Sequence, residues 1–257
     1  MCGRFAQVVK HKQLKKLMDE LSIKNRDEQI EINYNVAPTQ PVAAVIYKGK
    51  ERFLTFFRWG LIPSWSKEPS TQFSMINVRS ETILEKPTFK NGLLRRRCLI
   101  PVTGFYEWRK SDKQPFFIHA AGSSARLRSC ETEIDATSES CATGKNTALE
   151  SYPTDFDLLY LAGITEYWTG ADGSYIQSCA IITTSPNKVM EPIHDRMPVI
   201  LTPDVMESWL TEDFKDPVSL QSFLQTCPAH MIEIYPVSKK MNKVGYNSED
   251  CLTPISV

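Results

Sequence analysis

A single domain of mixed α/β class, rich in sheet and short of helix, is predicted for this chain, and three observations predict it. Its 257 residues, 42% of them hydrophobic and 10% aromatic, can bury a sizeable core without splitting into several domains. Short runs of β-branched and aromatic residues recur along most of its length, separated by Gly, Pro and polar breaks. Helical periodicity is confined to brief stretches.

The elements follow in order. Between His11 and Ser22, Leu14, Leu17, Met18 and Leu21 fall at i, i+3, i+4 and i+7, which predicts a short amphipathic helix. The stretch from Tyr34 to Pro41 contains two prolines and is predicted as a loop holding Tyr34 and Asn35. Val42 to Tyr47 and Arg52 to Trp59 read as a hairpin turned at Lys48-Gly49-Lys50. An apolar loop, Gly60 to Trp65, then leads to Asn77-Val78-Arg79-Ser80-Glu81. Strands are predicted at Arg97 to Val102, Gly104 to Trp108 and Pro115 to His119, and again at Leu158 to Ile164 and Tyr175 to Thr184. Between them, residues 122–157 hold seven acidic and eleven Ser or Thr residues with almost no apolar periodicity, and a flexible acidic insertion is expected there. A Pro-bounded loop from Met190 to Pro198 precedes a short strand at Val199 to Leu201. Thr202-Pro203 and Asp216-Pro217 signal two short helices, and Met231 to Tyr235 a last strand.

The balance of charge is zero, so any attraction for nucleic acid must come from a local patch. Between Lys86 and Lys110 seven basic residues accompany one acidic residue, Glu107, which reads as such a patch or as a solvated face. Seven cysteines, an odd number with no C-x-x-C pair, fit neither a disulfide framework nor a zinc site and point to a reducing, intracellular compartment. No metal or cofactor is expected. Nor is a membrane partner, because no apolar run approaches the roughly 18 residues of a span and the N-terminus lacks an apolar signal core. Met1-Cys2 is therefore expected to be the true start.

Cys2 is the first chemical signal. Once Met1 is removed, its α-amine and thiol form a 1,2-aminothiol able to trap an aldehyde as an imine and close on it as a five-membered thiazolidine; the bland alternative is a small buried residue. In the strand Gly104 to Trp108, period two places Phe105 and Glu107 on one face. A carboxyl so placed is either desolvated, with a raised pKa suited to proton transfer, or on a solvent-facing edge. His194 can exchange protons near neutral pH and Arg196 can bind phosphate, both from the Pro-bounded loop. Trp65 either stacks on a base or packs on the core edge.

Five ordered motifs, Met-Cys-Gly-Arg-Phe at the start, Tyr34-Asn35-Val36-Ala37-Pro38, Asn77-Val78-Arg79-Ser80-Glu81, Gly104-Phe105-Tyr106-Glu107-Trp108 and Ile193-His194-Asp195-Arg196-Met197-Pro198, together resemble the SOS response-associated peptidase family. The resemblance covers the chain apart from the insertion. It implies one domain, 1–257, on a distorted and mostly antiparallel β-barrel with peripheral short helices. It also implies a protein that crosslinks itself through Cys2 to abasic sites in single-stranded DNA, shields the lesion, and has autopeptidase activity toward Met1. The same resemblance implies Cys2 as nucleophile, Asn77 as a positioning group, and Glu107 and His194 as proton-transfer groups. Arg4, Asn35, Pro38, Trp65, Arg79 and Arg196 are the implied DNA contacts. Trp65-Ser66 departs from the two adjacent tryptophans of many relatives. A monomer is expected, cytoplasmic at the nucleoid if bacterial and nuclear if eukaryotic. The alternatives are an N-terminal-nucleophile cysteine peptidase or amidohydrolase, and a non-covalent reader of modified DNA.

Overall fold

The structure, a computed structural model, describes residues 2–69, 75–122, 157–211 and 216–256. Its elements run β1 (Arg4–Gln7), α1 (His11–Glu20), β2 (Asn33–Val36), β3 (Pro41–Lys48), β4 (Glu51–Trp59), β5 (Asn77–Arg79), α2 (Pro87–Arg95), β6 (Arg97–Val102), β7 (Gly104–Trp108) and β8 (Pro115–Ala120). β9 (Leu159–Thr169), β10 (Tyr175–Thr184), β11 (Met197–Pro198), α3 (Pro203–Trp209), α4 (Pro217–Ser222) and β12 (Ile232–Pro236) complete the order. Five strands close a ring: β10 pairs β4, β4 pairs β3, β3 pairs β6, β6 pairs β9, and β9 returns to β10. This is the mixed α/β, mostly antiparallel barrel expected; the parallel pairings are those of β10 with β4 and β5. A second sheet, in the order β12-β8-β7-β1-β2, packs against it.

Barrel strand β6 is buried along its whole length, whereas β4 alternates and is buried mainly on one face. One face of the barrel packs under the helices through Leu14, Leu17, Leu93, Leu99 and Trp209. The other joins the second sheet through Phe5, Phe57, Trp59, Phe105 and Ile181. Phe5 and Trp59 meet at 4.8 Å between ring centroids, so the N-terminal strand is pinned to the end of β4. The β3–β4 hairpin turns on Gly49 and Lys50, both with positive φ, as a two-residue connection with primed-turn geometry requires.

Three expectations need correction. Tyr34 and Asn35 lie in strand β2, paired antiparallel to β1 through Phe5↔Val36, because the prolines fall just after the paired residues and do not interrupt them. The short strand after the Pro-bounded loop is Met197–Pro198, paired with Thr183 and Thr184, and of the expected 199–201 only Ile200 forms a bridge, to Leu161. The basic stretch from 86 to 110 does not form one surface. Its first half is helix α2, started by Pro87 at N1, and Arg97 is buried with its guanidinium donating to the carbonyls of Trp209, Leu93 and Leu94. Arg96 pairs with Glu166 at 2.8 Å and Arg109 with Asp112. The expected acidic insertion, with Cys130 and Cys141, lies almost wholly outside the described residues. No helix among the described residues is long and apolar enough to cross a membrane.

Candidate functional site

Strand register delivers Cys2 to Glu107. β1 runs antiparallel to β7 with Arg4↔Tyr106, Phe5↔Phe105 and Ala6↔Gly104, so the residues preceding Arg4 arrive at the end of β7 that carries Glu107. On the other side of β7, Gly104 permits the close approach of β8, because a Cβ there would stand 2.3 Å from the Ile118 carbonyl oxygen. β7 is flanked by β1 and β8 and is therefore not an edge, which settles the two readings of Glu107 in favour of the desolvated one: it is only 2% exposed. Burial pushes its carboxyl up to about 7. Cys2 is fully buried, and its thiol is pushed up by that burial and by the neighbouring Glu107.

Asn77 reaches the same point from the other sheet. β5 is held parallel to β10 through Ile181↔Asn77 and Thr183↔Arg79, and the Asn77 amide Nδ2 donates to the Cys2 carbonyl oxygen at 2.7 Å. Its Oδ1 is buried and accepts no hydrogen bond among the described residues. His194 arrives on the loop before β11. Asn187, buried, shapes that loop by accepting from the backbone N–H of Val189 and Met190, and the His194 amide donates to the Met190 carbonyl at 2.9 Å. The His194 Nε2 stands 4.0 Å from Glu107 Oε2. Burial pulls its imidazolium below the ordinary range, with the Asp195 carboxylate opposing.

The other expected residues divide sharply. Arg79 is exposed, and its side chain forms no ion pair or hydrogen bond among the described residues. Trp65 is 76% exposed and steadied by donation from its Nε1 to Thr88 at 3.1 Å, so it packs neither on the core edge nor under a helix. Pro38 is half-buried in the turn between β2 and β3. Arg4 and Asn35 are buried and turned toward the C-terminal segment, where Arg4 donates to Asn35 Oδ1 at 2.8 Å and to the Met241 carbonyl at 3.0 Å. Asn35 donates onward to the carbonyls of Met241 and Tyr246. These bonds form a clamp that fixes β1, and with it Cys2. Arg196 is likewise engaged, doubly to Glu81 at 2.6 and 2.9 Å and to the Thr183 carbonyl at 2.7 Å. Sequence reasoning missed Asn187 and gave no role to Glu81, although Glu81 closes the Asn77 motif, since its partner Arg196 lies 115 residues away and only the fold brings the two together.

Among the described residues no cluster of His, Cys, Asp and Glu could hold a metal ion. A cavity of about 810 Å³ lined by Tyr47, Arg95, Tyr167 and Tyr175 opens elsewhere, at the start of β10 and β4, and none of the expected site residues lines it.

An N-terminal cysteine, a buried carboxyl titrating near neutrality, an amide and a histidine thus meet where a five-stranded ring abuts a second sheet. That arrangement places a thiol, a carboxyl, an amide and an imidazole together near the start of the chain. The chain belongs to the SOS response associated peptidase (SRAP) family, which it matches over residues 1–244. It is 35% identical over 257 residues to the abasic site processing protein YoqW of Bacillus subtilis, covering 98% of this chain and 99% of that one. The abasic site processing protein HMCES of Mus musculus is 34% identical over 213 residues, 79% of this chain and 57% of that protein. A crystal structure of a Bacteroides thetaiotaomicron protein superposes with a TM-score of 0.75 at 22% identity, over 99% of this chain and 100% of that one, and shows the same fold.

Proposed function

We propose that this chain acts, as a monomer, on abasic sites in single-stranded DNA and captures them covalently through the amine and thiol of mature Cys2. The observation that carries the reading is the convergence of Cys2, Asn77, Glu107 and His194, with Asn77 bonded to the Cys2 carbonyl at 2.7 Å and Glu107 buried beside the thiol. The relatives' names supply the substrate. Loss of Met1, expected of the same thiol chemistry, must come first, since an acylated amine cannot form an imine.

The protonation states favour an order of events. The Cys2 thiol is held as a thiol, so the amine attacks first and forms a carbinolamine at the sugar C1′. Glu107, titrating at about 7, can be found in either form near neutrality. Its carboxylic acid gives a proton to the departing hydroxyl, and water leaves as the protonated imine forms, its nitrogen keeping one hydrogen. The thiol sulfur then bonds to the same carbon while its proton passes to the Glu107 carboxylate. One aldehyde and one aminothiol become one thiazolidine and one water, with no oxidant and no external acid. The Asn77 Oδ1 acceptor offers a place for an amine hydrogen, which would fix the lone pair toward the aldehyde. Exposed Arg79 and Trp65 suit the phosphate and base of a strand recognised without regard to sequence.

The test is a denaturing gel of the mature protein with an oligonucleotide bearing one abasic site. A shifted band that survives heat and denaturant is expected with the native chain and none with Cys2→Ala. Absence of the band, or its persistence in Cys2→Ala, overturns the covalent reading and leaves a non-covalent reader or an amide hydrolase.

A further inference from the structure

His194 Nδ1 has two neighbours that cannot both be satisfied by one form of the ring. The backbone N–H of Arg196 points at it from 3.1 Å, and Asp195 Oδ1 stands 2.9 Å away. An amide can only donate, so facing Arg196 the nitrogen must carry a lone pair, and the neutral ring then bears its hydrogen on Nε2, on the side of Glu107 Oε2. Facing Asp195, the nitrogen must carry a hydrogen, which makes the ring doubly protonated if Nε2–H is kept. Asp195 is itself held: Lys110, in the turn after β7, reaches its Oδ2 at 3.1 Å. The charged groups that bear on the ring are Glu107 from β7, Asp195 from its own loop, Lys110 and Lys113 from the β7–β8 turn, and the α-amine at the chain's start.

We propose that Asp195 and Lys110 are positioning residues that decide which form His194 presents to Glu107 and the abasic sugar. With Lys110 on Asp195 the carboxylate is largely neutralised and the ring stays neutral, offering Nε2–H toward Glu107. When Lys110 is drawn away, Asp195 is free to take Nδ1–H and hold the ring as an imidazolium, a proton donor able to assist ring opening of the sugar. Asp195 at 65% and Lys110 at 59% side-chain exposure remain free to move, whereas the ring, at 19%, does not. The inference deepens the covalent-capture reading and rests on it for its kinetic consequence. Its electrostatic part stands without it.

Two variants move the ring in opposite directions, which a merely structural role would not do. Asp195→Asn removes the anion that favours imidazolium and lowers the His194 titration midpoint. Lys110→Gln removes an opposing cation and raises it. A nearby opposite charge moves a titration by about one to three pH units when shielded from water, and this exposed pair should move the ring by roughly half a pH unit each way. The His194 ring resonances, followed by NMR against pH in the full chain, read this directly. The His194-dependent limb of the pH profile of adduct formation should move in the same two senses, with DNA affinity measured alongside by anisotropy to separate any loss of a phosphate contact at Lys110. Ring midpoints that stay put, or that move together, overturn the proposal. Opposite movements in the NMR titrations without any adduct at any pH would instead uphold the pairing and sink the covalent reading.

Discussion

The two walls of the site are built on opposite principles. On the wall formed by β1 and β7, Cys2, Arg4 and Glu107 are 0%, 8% and 2% exposed, and each is fixed by register, clamp or burial. On the wall formed by β5 and the preceding loop, Arg79 is exposed and Trp65 is 76% exposed, with little to hold either in place. The first wall carries groups whose chemistry depends on a low dielectric and fixed geometry. The second carries groups that stand in water, where the proposed reading puts the DNA strand. Arg4 and Arg79 show that residue type does not fix environment: one guanidinium is buried on Asn35 and the Met241 carbonyl, the other stands in water.

The sharpest way to break this comparison is Glu107→Gln. If the buried wall does the chemistry, adduct formation should slow by about a hundredfold or more, the range for loss of a general acid and base. Affinity for intact single-stranded DNA should stay within about twofold by anisotropy. Equal loss of both would make Glu107 structural.

The same carboxyl carries a pH signature. Its pKa is raised from 4.5 to about 7 on folding, so the folded state holds more protons than the unfolded one between those values. Its contribution to stability is complete below about 4.5 and is lost as pH rises through about 7. Denaturant titrations at pH 5 and pH 8 should show Glu107→Gln gaining on the native chain by an amount on the order of 3 kcal/mol across that window, since each pH unit between the folded and unfolded pKa is worth about 1.36 kcal/mol.

Arg4→Met should come next. Losing charged hydrogen bonds to buried acceptors costs about 2 kcal/mol, visible as a lower Tm, and adduct formation should slow as β1 loosens. The salt dependence of DNA binding should not change if the Arg4 guanidinium stays committed to Asn35 and the Met241 carbonyl. A shallower salt slope would return Arg4 to the DNA-binding set.

On the exposed wall the effects are smaller and confined to binding. Trp65→Ala should weaken single-strand affinity by about 1 to 3 kcal/mol, the range for one base stacked on an aromatic ring, with Tm unmoved. Arg79→Ala should reduce the salt slope by about 0.7, the share of one phosphate on a single strand. A fall in Tm for either would show that the wall is less independent than its exposure indicates.

Much of this was legible in the chain. The barrel strands announce themselves through short apolar and β-branched runs, as in Cys98–Val102 and Cys179–Ile182. Helices α3 and α4 were marked by Pro at their first positions. Strands β1 and β2 were not, being four residues each and stabilised by a partner about thirty residues away in the chain. Helix α2 was hidden because its lysines and arginines drew attention as a charge run.

What the sequence alone determined was the set of reactive types, an early cysteine, a carboxyl among aromatics, a histidine between prolines, and the alternation that put Glu107 on the face of Phe105. It could not assign the arginines, since all three carry the same charge and the same motif-level signal. Tertiary structure decided that, by laying the 239–242 segment over Arg4 and the Glu81 carboxylate over Arg196 while leaving Arg79 in water. The physical reason is that a side chain's chemistry is local to its own bonds, whereas its partners and its dielectric are supplied by residues that only the folded chain brings near.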